Sequence, residues 1–298
     1  MLSGTNQCVL VYDVGGSHIS AAVCHAENYR LGPVLTASHP EHEASEGFVD
    51  VLVGLGEKAI TSGYETLGAS VAMPGPFDYA AGVSRMKHKL PYLYGFDLRA
   101  ALAARFGWQP GKVRFLNDAA AYLLGEVGAG AALGAARAVG ITLGTGIGSA
   151  FALNGRVVTE GAGVPPGGEV WNVPYEGGIV EDLISSKAIR QMYEQRTGQQ
   201  REVAFIAAAA ATDPAASEVF AEFGRHLGRT LKSLLFPFAP DVVVLGGGIS
   251  RAAALFLPFA QEQLEDIKLT LRVSALGDRA PLVGAGVAWF AASPAADK

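Results

Sequence analysis

The sequence predicts an α/β protein built from two related lobes. Three observations support this: a strand, a glycine-rich turn and a second strand occur twice, strands and helices alternate along the rest of the chain, and the composition suits a well-buried protein. Its 298 residues exceed the length of most single cores, so two domains are expected. With 50% hydrophobic and 17% charged residues, and 38 glycines for tight turns, the composition argues against disorder.

The first of the two repeats lies close to the start of the sequence. The apolar stretch Val9 to Asp13 predicts a buried strand, which ends at the glycine pair Gly15 and Gly16. The apolar pattern resumes at Ile19 to Cys24 and predicts a returning strand. The local order is therefore strand, turn, strand.

The second repeat has the same order. A strand is predicted at Ala138 to Leu143, a turn at Gly144 to Gly148 and a returning strand at Ser149 to Leu153. In a P-loop or a Rossmann unit, the glycine turn leads into a helix whose N-terminus holds phosphate. Both turns here lead into a strand, which disfavours those two nucleotide-binding folds.

Helices and strands alternate between and after the repeats. The alanine-rich segment Ala204 to Ala216 has a helix-forming composition and predicts a packed helix, not a linker. Further strands are predicted at Gly68 to Met73, Val113 to Leu116 and Asp241 to Leu245. Further helices are predicted at Gly47 to Ser62, Leu98 to Phe106, Asp118 to Gly128, Val180 to Gln195 and Glu218 to Phe236.

No long connector of Gly, Ser or Pro separates the two predicted lobes. We therefore expect the boundary to be a hinge near Leu116 to Ala119, where the chain crosses over. This gives a small N-terminal α/β lobe over residues 1–117 and a large C-terminal α/β lobe over residues 118–283. A C-terminal helix over about 284–298 is expected to pack back on the small lobe.

Charge, cysteine content and hydropathy exclude several functional classes. The net charge of −5, with no basic stripe, makes nucleic acid an unexpected partner. Cys8 and Cys24 lie in apolar stretches and are expected to be buried thiols, so a disulfide framework is excluded. No apolar run reaches the roughly 18 to 20 residues that span a bilayer, and the N-terminus lacks the pattern of a leader peptide. The cytoplasm is the expected compartment.

The glycine turns are candidate phosphate-binding sites. Because glycines leave few side chains in the way, backbone N–H groups approach a polyphosphate closely, and Ser17 and Thr145 add hydroxyl donors. A carboxylate that faces phosphate requires Mg²⁺ between the two, so Asp13 is a candidate magnesium ligand, directly or through water. Alternatively, Asp13 stabilises its own turn. Gly246-Gly247-Gly248 follows a predicted buried strand and suits the flat approach of an adenosine.

Asn117 and Asp118 lie on a predicted strand-to-helix corner. In phosphoryl transfer the attacking hydroxyl loses its proton, and a carboxylate within hydrogen-bond reach accepts it, so Asp118 is a candidate general base. An aspartate at such a corner is also a common helix N-cap. The local residues alone leave both roles open.

Four motifs, taken in order, resemble the ROK (repressor, open reading frame, kinase) family across nearly the whole chain. The resemblance implies a two-lobed α/β ATPase fold of the actin/hexokinase/Hsp70 (ribonuclease H-like) type, with ATP between the lobes and Mg²⁺ as cofactor. It also implies that Asp118 takes the proton of the sugar's 6-hydroxyl. The motifs are Asp13-Val14-Gly15-Gly16-Ser17, Asn117-Asp118, Leu143-Gly144-Thr145-Gly146-Ile147-Gly148 and Gly246-Gly247-Gly248.

The same resemblance implies the sugar-binding residues. Asn117 and Glu169 match family positions, and Glu181 matches an acidic residue after the family's cysteine cluster. Asn172 stands where the family has a histidine. As an alternative to sugar binding, Glu169, Asn172 and Glu181 are each a helix-end or surface group. The Pro-Gly loop around Gly75 is expected to shape the sugar pocket.

The chain departs from the family pattern in two places. Most members hold a structural zinc with a histidine and three cysteines, whereas residues 172–181 here contain neither residue type, so no zinc site is expected. Lys89 stands where relatives more often have an asparagine that touches the sugar. An ammonium group donates hydrogen bonds but cannot accept them, and it also favours anionic ligands.

The favoured interpretation is a glucokinase-like hexose kinase that acts on a neutral sugar of glucose configuration, as a homodimer. The alternative is a catalytically weak or inactive sugar-binding regulatory protein of the same family. Family repressors carry an N-terminal helix-turn-helix, and the first predicted strand here begins within ten residues of Met1. An acetate-kinase-type or activator ATPase of the same fold is disfavoured by the sugar-side residues Asn117, Glu169 and Glu181.

Overall fold

The computed structural model describes residues 6–40, 44–60, 62–235 and 237–292. Its first unit is an α/β layer structure that begins with the predicted strand, turn and returning strand. Its elements are β1 (Gln7–Val14), β2 (His18–His25), β3 (Leu35–Ser38), α1 (Ser45–Ala59), β4 (Glu65–Met73), β5 (Phe77–Asp78), β6 (Val83–Ser84), α2 (Leu98–Phe106), β7 (Val113–Asn117) and α3 (Asp118–Ala129).

The second unit begins with the second predicted repeat. Its elements are β8 (Arg137–Leu143), β9 (Ile147–Leu153), β10 (Arg156–Val158), β11 (Pro174–Tyr175), β12 (Gly178–Ile179), α4 (Val180–Leu183), α5 (Ser186–Thr197), α6 (Val203–Ala209), α7 (Pro214–Leu235), β13 (Val242–Gly246), α8 (Ala253–Glu262) and β14 (Thr270–Val273). A final helix, α9 (Ala280–Ala291), returns to the first unit.

The two five-stranded sheets have the same topology. The strand order is β3-β2-β1-β4-β7 in the first unit and β10-β9-β8-β13-β14 in the second. In both sheets the first two pairs are antiparallel and the last two are parallel. The repeat predicted from the glycine turns is therefore a repeat of the whole sheet.

The central strand β1 is buried on both faces, as expected for a sheet covered by helices on both sides. Leu10 and Tyr12 pack into a core that contains Phe48 of α1. Val9 and Val11 point the other way and pack with residues of α9. This alternation follows from the two-residue period of a strand.

Helix α9 also packs closely on α3, and glycines make the approach possible. A Cβ on Gly284 would lie 1.7 Å from the carbonyl oxygen of Ala121, and one on Gly125 would lie 2.1 Å from that of Ala280. Because of this packing, α3 belongs to the first compact unit, which comprises the described residues up to 129 and from 279 to 292, while the second comprises those from 130 to 278. The hinge expected near residues 116–119 stays a prediction, and residues 293–298 of the expected C-terminal helix lie outside the described residues.

Two predicted helices are interrupted, so their prediction as continuous helices is wrong. The segment predicted from Val180 to Gln195 breaks after Leu183, where Ser185 Oγ accepts a hydrogen bond from Ala188 N (3.3 Å) and caps α5. The alanine-rich segment breaks before Pro214, the first residue of α7. Proline has no N–H and disfavours helical geometry in the residue before it, so a helix starts there more easily than it passes through.

Among the described residues, no single helix is long and apolar enough to cross a membrane. Helices α6 and α7 pass that test only as a pair, and they are bent by 114° with respect to each other.

Candidate functional site

The first unit presents a carboxylate at the end of β7, where the predicted corner forms. Asn117 pairs in register with Met73 at the end of the neighbouring parallel strand β4. Its side-chain Oδ1 accepts a hydrogen bond from Ala120 N (3.0 Å), and this bond caps α3. The capping role that the sequence left open for Asp118 is therefore taken by Asn117.

Asp118 is held by its neighbours in a fixed orientation. Its Oδ1 accepts hydrogen bonds from Ala119 N (2.9 Å) and from Asn117 Nδ2 (3.0 Å). Burial raises the pKa of the Asp118 carboxyl, while the Ala119 N–H, the positive charge of Lys89 and the Asn117 amide act in the opposite direction. A raised pKa makes the ionised carboxylate a stronger proton acceptor, which suits a general base.

Tyr79 completes this cluster, and the sequence reasoning missed it. Its Oη accepts a hydrogen bond from Asn117 Nδ2 (3.2 Å) and donates one to the carbonyl oxygen of Met73 (3.1 Å). Tyr79 directly follows the predicted Pro-Gly loop, Met73 to Asp78, and a Cβ on Gly75 would lie 3.6 Å from its Oη, so its closeness to that loop was the available signal. Lys89 is exposed, and its charge reaches Asp118.

The β1–β2 turn of the first unit is short and open. Gly15 N donates to the carbonyl oxygen of His18 (3.0 Å). Gly16 and Ser17 are exposed, and a Cβ on Gly16 would meet no atom within 4 Å. His39 Nε2 donates to the carbonyl oxygen of Gly15 (2.8 Å), a contact that no sequence pattern indicated. The turn thus has the exposed backbone expected of a phosphate-binding segment, and Asp13 lies on β1 just before it.

The corresponding turn of the second unit is braced by side chains. Gly144 N donates to Gly146 O (3.1 Å), and Ser186 Oγ donates to Gly144 O (2.8 Å). Glu181 Oε2 accepts a hydrogen bond from Ile147 N (2.9 Å), and a Cβ on Gly146 would lie 2.5 Å from that oxygen. One oxygen of Glu181 therefore supports the turn, and its predicted sugar contact remains untested.

The segment that carries Glu169 and Asn172 is exposed and tied to the same turn region. Glu169 Oε2 accepts a hydrogen bond from the indole Nε1 of Trp171 (3.0 Å), and 38% of the Trp171 side chain is exposed. Glu181 N donates to the carbonyl oxygen of Trp171 (3.1 Å). The structure thus brings Glu169, Trp171 and Glu181 into one network, in which Trp171 was not predicted.

The glycine triplet lies at the end of β13, as predicted: Gly246 is the last residue of the strand, and Gly247 and Gly248 follow it. Gly247 is also needed for the backbone conformation and packing at this point. Its φ is +80°, and a Cβ there would lie 2.4 Å from the carbonyl oxygen of Leu143. Glycine is therefore required at residue 247 whether or not a ligand binds. A Cβ on Gly248 would meet nothing within 4 Å, which leaves its backbone open to a ligand.

Among the described residues, no group of three or more His, Cys, Asp or Glu side chains is arranged to hold a metal ion. Cys8 and Cys24 are free and buried, and burial raises the pKa of both thiols, that of Cys24 to about 12. The two cysteines are thus buried thiols, as predicted. The role of Asp13 toward Mg²⁺ stays a prediction.

Comparison with known proteins gives a consistent result. The model of the ROK family matches residues 9–292. The glucokinase of Thermotoga maritima is 26% identical over 280 residues, covering 85% of this chain and 86% of that protein. The N-acetyl-D-glucosamine kinase of Photobacterium profundum is 27% identical over 267 residues, covering 82% and 85%. The crystal structure of a ROK hexokinase from Thermus thermophilus matches with a TM-score of 0.79 at 28% identity, covering 94% of this chain and 97% of that one.

These matches confirm the predicted fold class, a two-lobed α/β fold of the actin/hexokinase type. They also extend over nearly the whole chain, as the order of the four motifs indicated.

Proposed function

The chain belongs to the ROK family, and we propose that it is an ATP-dependent hexose kinase, which transfers the γ-phosphate of ATP to the 6-hydroxyl of a hexose. The broad class, a sugar kinase, follows from the family and from relatives named glucokinase, N-acetyl-D-glucosamine kinase and hexokinase. The hexose of glucose configuration and the residue roles are the finer parts of the proposal.

The observation that carries the proposal is the Asn117-Asp118 corner. Asn117 caps α3 and donates to Asp118, so the Asp118 carboxylate is not the N-cap, although its Oδ1 also accepts a hydrogen bond from Ala119 N. In the proposed reaction Asp118 accepts the proton of the 6-hydroxyl as that oxygen attacks the γ-phosphorus. The bond from the γ-phosphorus to the bridging oxygen breaks, and ADP and the sugar 6-phosphate are the products.

The glycine segments supply the proposed phosphate and nucleotide contacts. The exposed backbone at Gly16 and the N–H groups of Thr145 and Gly146 are donors of the kind that stabilise phosphate charge. Gly248, with its open backbone, suits contact with the adenosine. When bound, Mg²⁺ neutralises phosphate charge, and Asp13 is the residue proposed to hold it, directly or through water.

A screen for ADP release tests this function. The purified chain is incubated with ATP, Mg²⁺ and one sugar at a time: glucose, mannose, allose, fructose, glucuronate and the N-acetylated hexosamines. We expect glucose to give the highest kcat/KM. A higher value for an N-acetylated hexosamine would keep the kinase class and overturn the neutral glucose-type substrate, whereas no sugar-dependent ADP release would overturn the proposed function itself.

A further inference from the structure

A groove of ≈ 430 Å³ lies in the first unit, away from the candidate site. It sits at the His25 end of β2, whereas the glycine turn adjoins the His18 end of the same strand. The 8 residues of β2 separate these two ends by roughly 23 Å. The lining includes His25, Arg30, Leu31, Pro33, Tyr64 and Arg279.

The two arginines of this groove differ from most others in the chain. Arg105 pairs with Asp50, Arg137 donates to a backbone carbonyl, and Arg114 stacks on Trp289. Within the described ranges, the guanidinium groups of Arg30 and Arg279 have neither an ion pair nor a hydrogen bond. Two positive charges without partners in one groove are unfavourable to each other unless an anion joins them.

Acidic groups near the groove do little to balance this charge. The lining contains no carboxylate among the described residues. Glu65, next to Tyr64, accepts a hydrogen bond from Gln7 Nε2 (2.9 Å). Glu27 is close enough to act on His25, but burial and the charge of Arg30 have the larger effects and lower the pKa of that imidazole. His25 is therefore neutral near pH 7 and can donate or accept a hydrogen bond.

Aromatic and apolar side chains line part of the groove beside the two arginines. The His25 and Tyr64 rings meet edge to face with 4.4 Å between their centroids. Gly32 N donates to Val23 O (2.9 Å), and a Cβ on Gly32 would lie 2.8 Å from Val23 Cγ2, which fixes the segment against β2. Pro33 follows it, and both it and Tyr64 are exposed. These surfaces suit the organic part of a small ligand.

We propose that this groove binds a phosphate monoester of a small organic molecule. The guanidinium groups of Arg30 and Arg279 bind the phosphate, whose charge of nearly −2 at pH 7 matches theirs, and guanidinium geometry suits paired contacts with phosphate oxygens. The rings of Tyr64 and His25 contact the organic part. A carboxylate, with one charge, would balance only one of the two arginines. This site is independent of the proposed kinase reaction.

Isothermal titration calorimetry tests the proposal with three probes that are neither substrate nor product of the proposed kinase: phenyl phosphate, inorganic phosphate and, as the uncharged control, phenol. The proteins are the wild type, Arg30→Gln, Arg279→Gln, the double variant and Arg156→Gln. Arg156 is the matched control, because it is a third arginine for which the described residues provide no ion pair, and it lies on β10 of the second unit. All three positions are exposed, so the variants are expected to fold, which circular dichroism checks.

We expect wild type and Arg156→Gln to bind phenyl phosphate equally, each single groove variant to bind at least about tenfold more weakly, and the double variant to lose this binding. Unchanged affinity in the double variant would place the phosphate elsewhere, such as at a glycine turn, and would overturn the proposal. Absence of binding to wild type would also overturn it. If wild type bound inorganic phosphate as tightly as the phosphate monoester, the proposed contact of the Tyr64 and His25 rings with the organic part would be wrong.

Discussion

The two sheets of the molecule share one strand order but end differently. In the first unit the outer parallel strand β7 ends at Asn117 and leads directly into Asp118 at the start of α3. In the second unit the corresponding strand β14 ends at Val273, and Ser274 follows. The repeat therefore supplies the framework twice, while the carboxylate at the strand end occurs once. The proposed proton transfer therefore depends on this one corner and not on the repeated topology.

The glycine turns differ in a related way. In the first unit Gly16 and Ser17 are exposed. In the second unit Ser186 Oγ donates to the carbonyl oxygen of Gly144, and Glu181 Oε2 accepts from Ile147 N, so both side chains support the backbone of the turn. In the second unit, the acidic side chain of Glu181 thus supports the main chain of the turn.

The largest effect expected concerns Asp118. Asp118→Asn keeps the shape of the side chain but removes its ability to accept a proton. We expect kcat with the best sugar to fall by at least about 10²-fold, equivalent to ~2.7 kcal/mol of transition-state stabilisation. Steady-state ADP release measures kcat, and calorimetry with the sugar checks that binding persists.

Asp97→Asn is the matched control for this change. Asp97 is also an aspartate at a helix start in the first unit, where its Oδ1 accepts a hydrogen bond from Ala100 N (2.9 Å) and caps α2. Its replacement is expected to leave kcat near the wild-type value. Near-normal turnover of Asp118→Asn, or an equal loss in both variants, would contradict the assignment of Asp118 as base.

Sequence patterns predicted the features that depend on neighbouring residues. The strands around Val9 and Ala138 were predicted because burial on both faces produces continuous apolar runs, and the turns because glycines punctuate them. The Asn117-Asp118 corner was predicted because a short apolar strand pattern is followed directly by a helical pattern that begins at an acidic residue. The helix break at Pro214 was not predicted, because the alanines around it favour a continuous helix. Proline, which lacks an N–H, disfavours one at that position.

Contacts between distant residues were beyond the reach of these patterns. Tyr79 binds Asn117 across 38 positions, and His39 binds Gly15 across 24. Such pairs depend on which strands become neighbours, and the sequence of each partner alone carries no sign of it. The role of Glu181 in bracing a turn was missed for the same reason, since its partner Ile147 lies 34 positions away.

A smaller effect is expected on the free energy of unfolding, and it can be compared at one helix–helix contact in each unit. A Cβ on Gly284 would lie 1.7 Å from the Ala121 carbonyl oxygen, and one on Gly224 would lie 2.2 Å from that of Phe256. We expect Gly284→Ala to lower the free energy of unfolding by about 1–3 kcal/mol and Gly224→Ala to lower it by less, because the first contact is closer. Urea unfolding followed by circular dichroism measures both.

The control for these variants is Gly54→Ala. Gly54 lies inside α1, and a Cβ there would meet no atom within 4 Å. Since alanine favours helix over glycine, this change is expected to raise the free energy of unfolding by up to about 1 kcal/mol. A loss of stability for Gly54→Ala, or no loss for Gly284→Ala, would mean that crowding at the α3–α9 contact is not what makes glycine necessary.

The smallest effect expected concerns Lys89, the exposed residue whose charge reaches Asp118. Lys89→Asn introduces the residue more common in the family, and we expect turnover of glucose near neutral pH to stay within about tenfold, ~1.4 kcal/mol in barrier. Lys89 lowers the pKa of Asp118, so its removal raises that pKa further. The base works in its ionised form, and the fall of kcat on the acid side should therefore begin at a higher pH in the variant. A pH profile of kcat measures this shift. An unshifted profile would show that Lys89 does not act on the base, and a selective loss of activity toward an anionic sugar that wild type prefers would make Lys89 a specificity residue.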